Sequence, residues 1–181
     1  STSPSGHQWK RPSSAASVTA IASGNSLTDP IFDGGTSGTN KGTSWLINQY
    51  SGSVVSGIAK STIPGSPMAY RWVNATTPPD AKTLIANYDL LIITDVYSNF
   101  DTDAYPPTAA ALPSDALLWA NHAWANDTEM LLWCTNARQD KADIAAQYAN
   151  HFQLWAGIQD YCNSALPAGK KPVRLIPGAW L

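Results

Sequence analysis

The chain has 181 residues, of which 44% are hydrophobic and 13% are charged, a balance that favours one packed domain over a disordered chain. Its formal net charge of −2 gives no electrostatic reason to expect nucleic acid or an anionic membrane surface as a partner. No apolar stretch reaches the roughly 18 residues that a spanning helix needs, so we expect no membrane span.

The N-terminal segment is rich in serine and proline and lacks the apolar core of a signal peptide. We expect residues 1–14 to form a flexible leader and residues 15–181 to form a single domain. Two cysteines, Cys134 and Cys162, are too few for a disulfide scaffold. Their pairing and their presence as two free buried thiols are both open.

The first half of the chain predicts two strands, each followed by a glycine turn. A β-prone run at 17–23 ends at Gly24, and a second at 57–63 ends at Pro64-Gly65. Between them lie a loop rich in glycine, serine and threonine and a short predicted helix, at 33–42 and 43–50.

The second half predicts helices and strands in alternation. The continuous apolar run Leu90–Ile93 is typical of a strand buried on both faces of a parallel sheet. In chain order the predicted elements are a helix at 80–87, a strand at 89–94, a helix at 113–126, a strand at 129–135, a helix at 141–165 and a strand at 173–176.

This alternation predicts an α/β fold, a parallel sheet with helices on both faces. Ligands of such sheets bind beyond the carboxyl ends of the strands. Four residues end or follow predicted strands and should converge on that edge: Gly24, Gly65, Thr94 and Thr135. The functional site is therefore expected there.

The sharpest motif is Gly24-Asn25-Ser26-Leu27-Thr28-Asp29, directly after the first strand. Gly24 permits a tight bend, and Ser26 then lies at the top of the sheet. There its hydroxyl is exposed, and neighbouring backbone N–H groups can stabilise an oxyanion. The competing interpretation is a polar turn whose side chains only cap the chain.

The motif resembles the first conserved block, Gly-Asp-Ser-Leu, of the SGNH (GDSL-like) hydrolases, with Asn25 at the aspartate position. The resemblance implies a three-layer flavodoxin-like fold with a five-stranded parallel sheet, and Ser26 as nucleophile and oxyanion N–H donor. Ile63-Pro64-Gly65-Ser66-Pro67 resembles the second block, whose glycine, here Gly65, gives its N–H to the oxyanion hole. The alternative for Gly65 is an ordinary Pro-Gly turn.

The third block of the family, Gly-x-Asn-Asp, has a weaker counterpart. The segment Thr94-Asp95-Val96-Tyr97-Ser98-Asn99 follows the third strand but contains no glycine. Asn99, a few residues out of register, is the candidate for a third oxyanion donor, and a structural loop asparagine is the competing interpretation. Asp95 could instead orient the loop beneath the nucleophile.

The fourth block, Asp-x-x-His, is absent from the sequence. His7 lies in the leader, while His122 and His151 lie in predicted helices, where packing or surface roles are commoner than a base role. The resemblance implies that a final helix and the loop bearing the acid and base follow Leu181. Truncation, a nicked enzyme with a second chain or fragment carrying them, and omission of disordered residues are all open.

We expect no cofactor and no metal, since no Cys/His spacing suits zinc and no glycine-rich loop suits a nucleotide. The predicted function is cleavage of a carboxylic ester of a small molecule, sugar or lipid through Ser26 and an acyl-enzyme. The alternative is a non-catalytic SGNH-like domain or fragment that binds a glycan or small ligand in the same cleft. The eight tryptophans, chiefly core or cleft-wall residues by expectation, also suit a glycan-binding face.

Overall fold

A computed structural model describes residues 17–26, 28–29, 55–96, 106–134 and 144–177. The described residues form a five-stranded sheet with flanking helices. The strands are β1 Val18–Gly24, β2 Val55–Thr62, β3 Leu90–Ile93, β4 Glu129–Trp133 and β5 Arg174–Ile176. The helices are α1 Met68–Val73, α2 Ala81–Leu84 with a 3-10 turn at Ile85–Asn87, α3 Pro106–Ala125 and α4 Ile144–Ser164.

All neighbouring strands are parallel, and their order is β2-β1-β3-β4-β5. The predicted α/β fold with a five-stranded parallel sheet is thereby confirmed. β2 lies on one side of β1, whereas β3, β4 and β5 follow one another on the other side. The chain therefore changes direction across the sheet at β1, and the topological switch point lies between β1 and β3. In open sheets of this order the ligand crevice lies at that switch point, beyond the carboxyl ends of the strands.

The sheet buries both of its faces, as its apolar strands require. Alternate strand residues, among them Ile21, Leu91 and Leu132, pack into the larger core cluster together with side chains of all four helices. The residues between them, among them Ala22 and Ile92, belong to a smaller cluster on the opposite face.

Two predicted helices differ from the observed ones. Helix α3 begins at Pro106 and not at 113, and it runs through Pro113. A proline is favoured at the first helical position, so Pro106 and Pro113 give the same start signal and the sequence does not distinguish them. Residues 80–87 are divided into a short α-helix and a 3-10 turn. The predicted helix at 43–50 lies outside the described residues.

Helix α1 was not predicted, because Pro64, Pro67 and the pair Pro78-Pro79 punctuate its surroundings and its six residues are too few for a clear period. It places Met68 and Arg71, three residues apart, in the interior, while Tyr70 and Val73 face solvent. None of the helices in the described ranges is long and apolar enough to cross a membrane.

Candidate active site

The candidate nucleophile, Ser26, lies exposed in a turn directly after β1. The turn closes when the Thr28 and Asp29 N–H groups donate to the Asn25 carbonyl, at 3.1 and 2.9 Å. These bonds have the spacing of one helical turn. The first N–H groups of such a turn have no acceptor within it, so the turn itself provides no hydrogen-bond acceptor for the Ser26 N–H.

Close packing beneath Ser26 explains why the turn begins with glycine. A Cβ atom on Gly24 would lie 2.0 Å from the Thr28 Oγ1 atom, far inside van der Waals contact. The Thr28 hydroxyl occupies that space because the Asn25 N–H donates to it at 3.2 Å. Gly24 and the buried Thr28 therefore fix the path of the backbone on both sides of Ser26.

Asp29 ties the far end of the turn to β2. Its carboxylate accepts a hydrogen bond from the Thr62 hydroxyl and forms an ion pair with Lys60 at 3.2 Å. The Thr62 hydrogen bond lowers the pKa of Asp29 below its ordinary value; desolvation opposes the shift and Lys60 supports it. The carboxylate is therefore charged at neutral pH and holds the turn against its neighbouring strand.

The predicted oxyanion glycine, Gly65, lies in the turn that follows β2. Its φ of 67° is in the left-handed region that favours glycine, and the Ser66 N–H closes the turn on the Ile63 carbonyl at 3.2 Å. Gly24 is in register with Thr62, and the Ile63 N–H donates to the Gly24 carbonyl at 3.1 Å. The turns bearing Ser26 and Gly65 thus begin at the same level of adjacent strands.

β3 ends at that level too. The Thr94 N–H donates to the Ser23 carbonyl at 3.2 Å, and the Thr94 hydroxyl donates to the Trp133 carbonyl at 2.8 Å. Asp95 accepts from the N–H groups of Met68 and Val96, at 2.8 and 2.6 Å, so its carboxylate anchors the start of α1. The remaining site prediction, Asn99, lies outside the described residues.

Arg71 is a site residue that the sequence prediction missed. Its side chain is 2% exposed, and its guanidinium donates to Ser23 Oγ at 2.9 Å, to Ser66 Oγ at 3.0 Å and to the carbonyl groups of Ser66 and Thr94. Desolvation lowers the pKa of Arg71 to about 10, while the Asp95 charge opposes the shift. The only available signal was the three-residue spacing of Met68 and Arg71, which is too short a pattern to indicate a helix face.

The described histidines lie on helices that flank the sheet, as expected. His122 belongs to the last turn of α3, and its Nε2 atom is 2.7 Å from the Lys82 carbonyl. His151 is buried within α4, and burial lowers its pKa to about 4. A general base is most effective with a pKa near the working pH, so His151 is poorly suited to that role.

The fold resembles several solved structures at low sequence identity. A proposed SGNH hydrolase from Slackia heliotrinireducens matches 82% of this chain and 75% of its own, at 10% identity and a TM-score of 0.57. TesA matches 78% of this chain and 73% of its own, at 14% identity and a TM-score of 0.53. The protein YXIM from Bacillus subtilis matches 79% of this chain and 42% of its own, at 11% identity and a TM-score of 0.51.

No protein-family model and no curated protein sequence matches the chain. The structural likeness at these identities defines the fold class, an α/β fold of the SGNH-hydrolase type. The roles of individual residues are not defined by that likeness and are proposed below from the geometry of this chain.

Proposed function

We propose that this protein is a serine hydrolase that cleaves carboxylic esters, with Ser26 as the nucleophile. The Ser26 Oγ atom attacks the ester carbonyl carbon, the alcohol leaves, and water then hydrolyses the acyl-enzyme. Acyl esters of small molecules, sugars or lipids are the substrate class. The observation that carries the proposal is the exposed Ser26 at the topological switch point, on a turn fixed by Gly24, Thr28 and Asp29.

The backbone around Ser26 supports an oxyanion hole. Within the described ranges, neither the Ser26 N–H nor the Gly65 N–H donates to a protein acceptor. Both residues follow strands that end side by side, at Gly24 and Thr62. We assign the two N–H groups to the oxyanion and Asn99 to a third donor; loss of one donor costs about 3 kcal/mol of transition-state stabilisation.

Catalysis also requires a general base within about 3 Å of the Ser26 hydroxyl. His122 is engaged by the Lys82 carbonyl, and His151 is buried with a lowered pKa. We therefore assign the base, and the acid that orients it, to residues outside the described part of the chain. Experiments on activity accordingly use the full-length protein.

The test of the nucleophile is replacement of Ser26 by alanine. Full-length Ser26→Ala should hydrolyse p-nitrophenyl acetate at least about 10³-fold more slowly than wild type, because no covalent acyl-enzyme can form. The matched control is Ser164→Ala, which changes an exposed serine at the end of α4 and should leave turnover unchanged. Equal turnover by Ser26→Ala and wild type would refute the assignment.

A covalent probe gives a second measurement that does not depend on the choice of ester. A fluorophosphonate should add to wild type in a 1:1 ratio, with the modified peptide containing Ser26. Ser164→Ala should be modified at the wild-type rate, and Ser26→Ala should remain unmodified.

The burial of the tryptophans that the structure describes weighs against the alternative, a non-catalytic domain that binds a glycan. Stacking on sugars requires exposed aromatic faces, whereas four described tryptophans are at most 9% exposed: Trp119, Trp124, Trp133 and Trp155. The half-buried Trp72 makes edge contacts with the rings of Trp119 and His122. The Lys82 ammonium group covers the face of the Trp72 ring. The described tryptophans therefore act in the core.

A further inference from the structure

Arg71 is a buried charge on an otherwise half-exposed helix of six residues. Its neighbours Tyr70 and Val73 are 48% and 74% exposed, so α1 lies at the surface and directs only one face inward. Burial of an isolated cation is unfavourable, and arginine is therefore retained in an interior where its donors are satisfied. The contacts of the guanidinium show which parts of the protein it holds.

Those contacts join all three strand ends that surround Ser26. The Nε atom donates to the Ser23 hydroxyl on β1, three residues before Ser26, at 2.9 Å. One terminal nitrogen, Nη1, donates to the Ser66 carbonyl and hydroxyl, next to Gly65, and the other, Nη2, donates to the Thr94 carbonyl at the end of β3. A single planar group thus spans the nucleophile strand, the Gly65 turn and the start of the third loop.

The network continues from the guanidinium into the turn that carries Gly65. The Ser66 hydroxyl, which accepts from Arg71, donates to the Ile63 carbonyl at 2.7 Å. The Ile63 N–H in turn donates to the Gly24 carbonyl at 3.1 Å. The conformation of Gly65 is therefore held from one side by β1 and from the other by Arg71.

We propose that Arg71 is a positioning residue for the esterase reaction, which sets the spacing between the Ser26 and Gly65 oxyanion donors. The inference rests on the proposed function of Ser26. Lysine cannot replace arginine here, because an ammonium group has one nitrogen while the three segments are reached by three nitrogens of a rigid fork. Arg71 itself does not contact the substrate, and its effect is exerted through the two turns.

The primary test compares Arg71→Lys with the matched variant Arg174→Lys in the full-length protein. Arg174 is exposed on β5 and pairs with Glu129, so its replacement should leave kcat and KM unchanged. Arg71→Lys should lower kcat by about 10- to 100-fold with less than about a threefold change in KM, because misplaced donors weaken binding of the transition state only. Activities are expressed per folded molecule, measured by near-UV circular dichroism.

Rescue of an Arg71 variant by an added guanidinium compound distinguishes a positioning role of Arg71 from a role in stabilising the fold. In Arg71→Ala, added methylguanidinium should restore kcat at least about fivefold, whereas methylurea, which is neutral, should not. Hydrogen exchange of the Ile63 and Ser66 N–H groups should be faster in Arg71→Ala than in wild type. If the Arg71 variants do not fold, Ser66→Ala, which removes only the hydroxyl link, should lower kcat in the same manner but less.

The outcomes distinguish this inference from the proposed function. A wild type that neither hydrolyses esters nor reacts with a fluorophosphonate would refute both. An active wild type whose Arg71→Lys variant keeps kcat, while losing only thermal stability, would refute the positioning role and leave the assignment of Ser26 intact. The same conclusion would follow if Ser66→Ala, used in place of variants that do not fold, kept wild-type kcat.

Discussion

Gly24 occupies a position where the backbone of one turn residue meets the side chain of another. An added methyl group would overlap the Thr28 hydroxyl at 2.0 Å, so Gly24→Ala should destabilise the fold by about 1–3 kcal/mol and displace Ser26. The matched change Gly157→Ala adds a methyl group in open space on α4 and should stabilise the fold by about 0.5–1 kcal/mol. Urea denaturation of both variants measures the difference in their free energies of unfolding. Equal values would contradict the steric crowding between position 24 and Thr28.

Gly65 permits a different comparison, because its constraint is conformational and not steric. Its φ of 67° and the φ of 79° at Gly169 are both left-handed, and at both positions an added methyl group would enter open space. Gly65→Ala and Gly169→Ala should therefore each cost about 1 kcal/mol of stability. Only Gly65→Ala should also lower kcat, since only the Gly65 turn follows the strand that pairs with the strand of Ser26; equal kcat values in the two variants would refute its role.

At the scale of elements, Asp80 shows how hydrogen bonds to one side chain stabilise a helix of only four residues. Its carboxylate accepts from the Thr83 N–H at 3.0 Å as the cap of α2, and from the Thr76 N–H at 2.9 Å in the preceding loop. Burial would raise the pKa of Asp80, but the hydrogen bonds from Thr76 and Thr83 outweigh it and hold the pKa below its ordinary value. The charged form is therefore the one that stabilises the fold.

Asp80→Asn should consequently reduce stability in a pH-dependent way. The folded-state pKa lies below the unfolded one, so the contribution of the charge is complete well above about pH 4, begins to decline near that pH and is lost as the pH falls through the folded-state pKa. The variant should lose about 1 kcal/mol at pH 7 and progressively less at about pH 4 and about pH 2.5. Urea midpoints at the three values test this, with the exposed Asp160→Asn on α4 as the control.

The elements differ in how far the sequence predicts them. β3 is predictable because Leu90–Ile93 is apolar throughout and a strand buried on both faces needs no alternation. The start of α3 is not predictable from the sequence, because Pro106 and Pro113 are equivalent start signals and only packing selects between them. α1 is beyond sequence reasoning, because a helix of six residues is stabilised by tertiary contacts such as that between the Trp119 Nε1 atom and the Met68 carbonyl, at 3.2 Å.

The residues of the candidate site likewise divide into positions that the sequence predicts and positions that it does not. The positions of Ser26 and Gly65 were predictable because turn residues after consecutive strands must meet at one edge of a parallel sheet. Arg71 was not, since its role depends on contacts with Ser23, Ser66 and Thr94, between 5 and 48 residues away in the sequence. No local pattern encodes a side chain that bridges three separate segments.

At the scale of the whole molecule, the two cysteine thiols can be used to measure whether the protein unfolds cooperatively. Cys134 directly follows β4 and Cys162 lies near the end of α4, yet both are buried in the same core cluster and neither forms a disulfide. Burial raises the pKa of Cys134 to about 12 and that of Cys162 to about 11. Both thiols are therefore protonated and shielded in the folded protein.

Ellman's reagent at about pH 8 should accordingly label neither thiol in the native protein and both after unfolding. Because one cluster contains both residues, their labelling midpoints in urea should coincide with the change in tryptophan fluorescence. Stoichiometric labelling of either thiol without denaturant would show that its part of the core opens independently.

The contact between Gly24 and Thr28 has a consequence for how the turn can evolve. Removing the Thr28 hydroxyl abolishes the 2.0 Å overlap and leaves the Cβ atom of residue 28 as the nearest atom, at 3.2 Å, a tight contact that a shift of a few tenths of an ångström relieves. The order of substitutions then matters: Thr28→Ala opens a route to Gly24→Ala, whereas the reverse order passes through a crowded intermediate. A library that varies both positions should therefore be enriched in paired changes, with alanine at 24 found chiefly in backgrounds that lack the threonine.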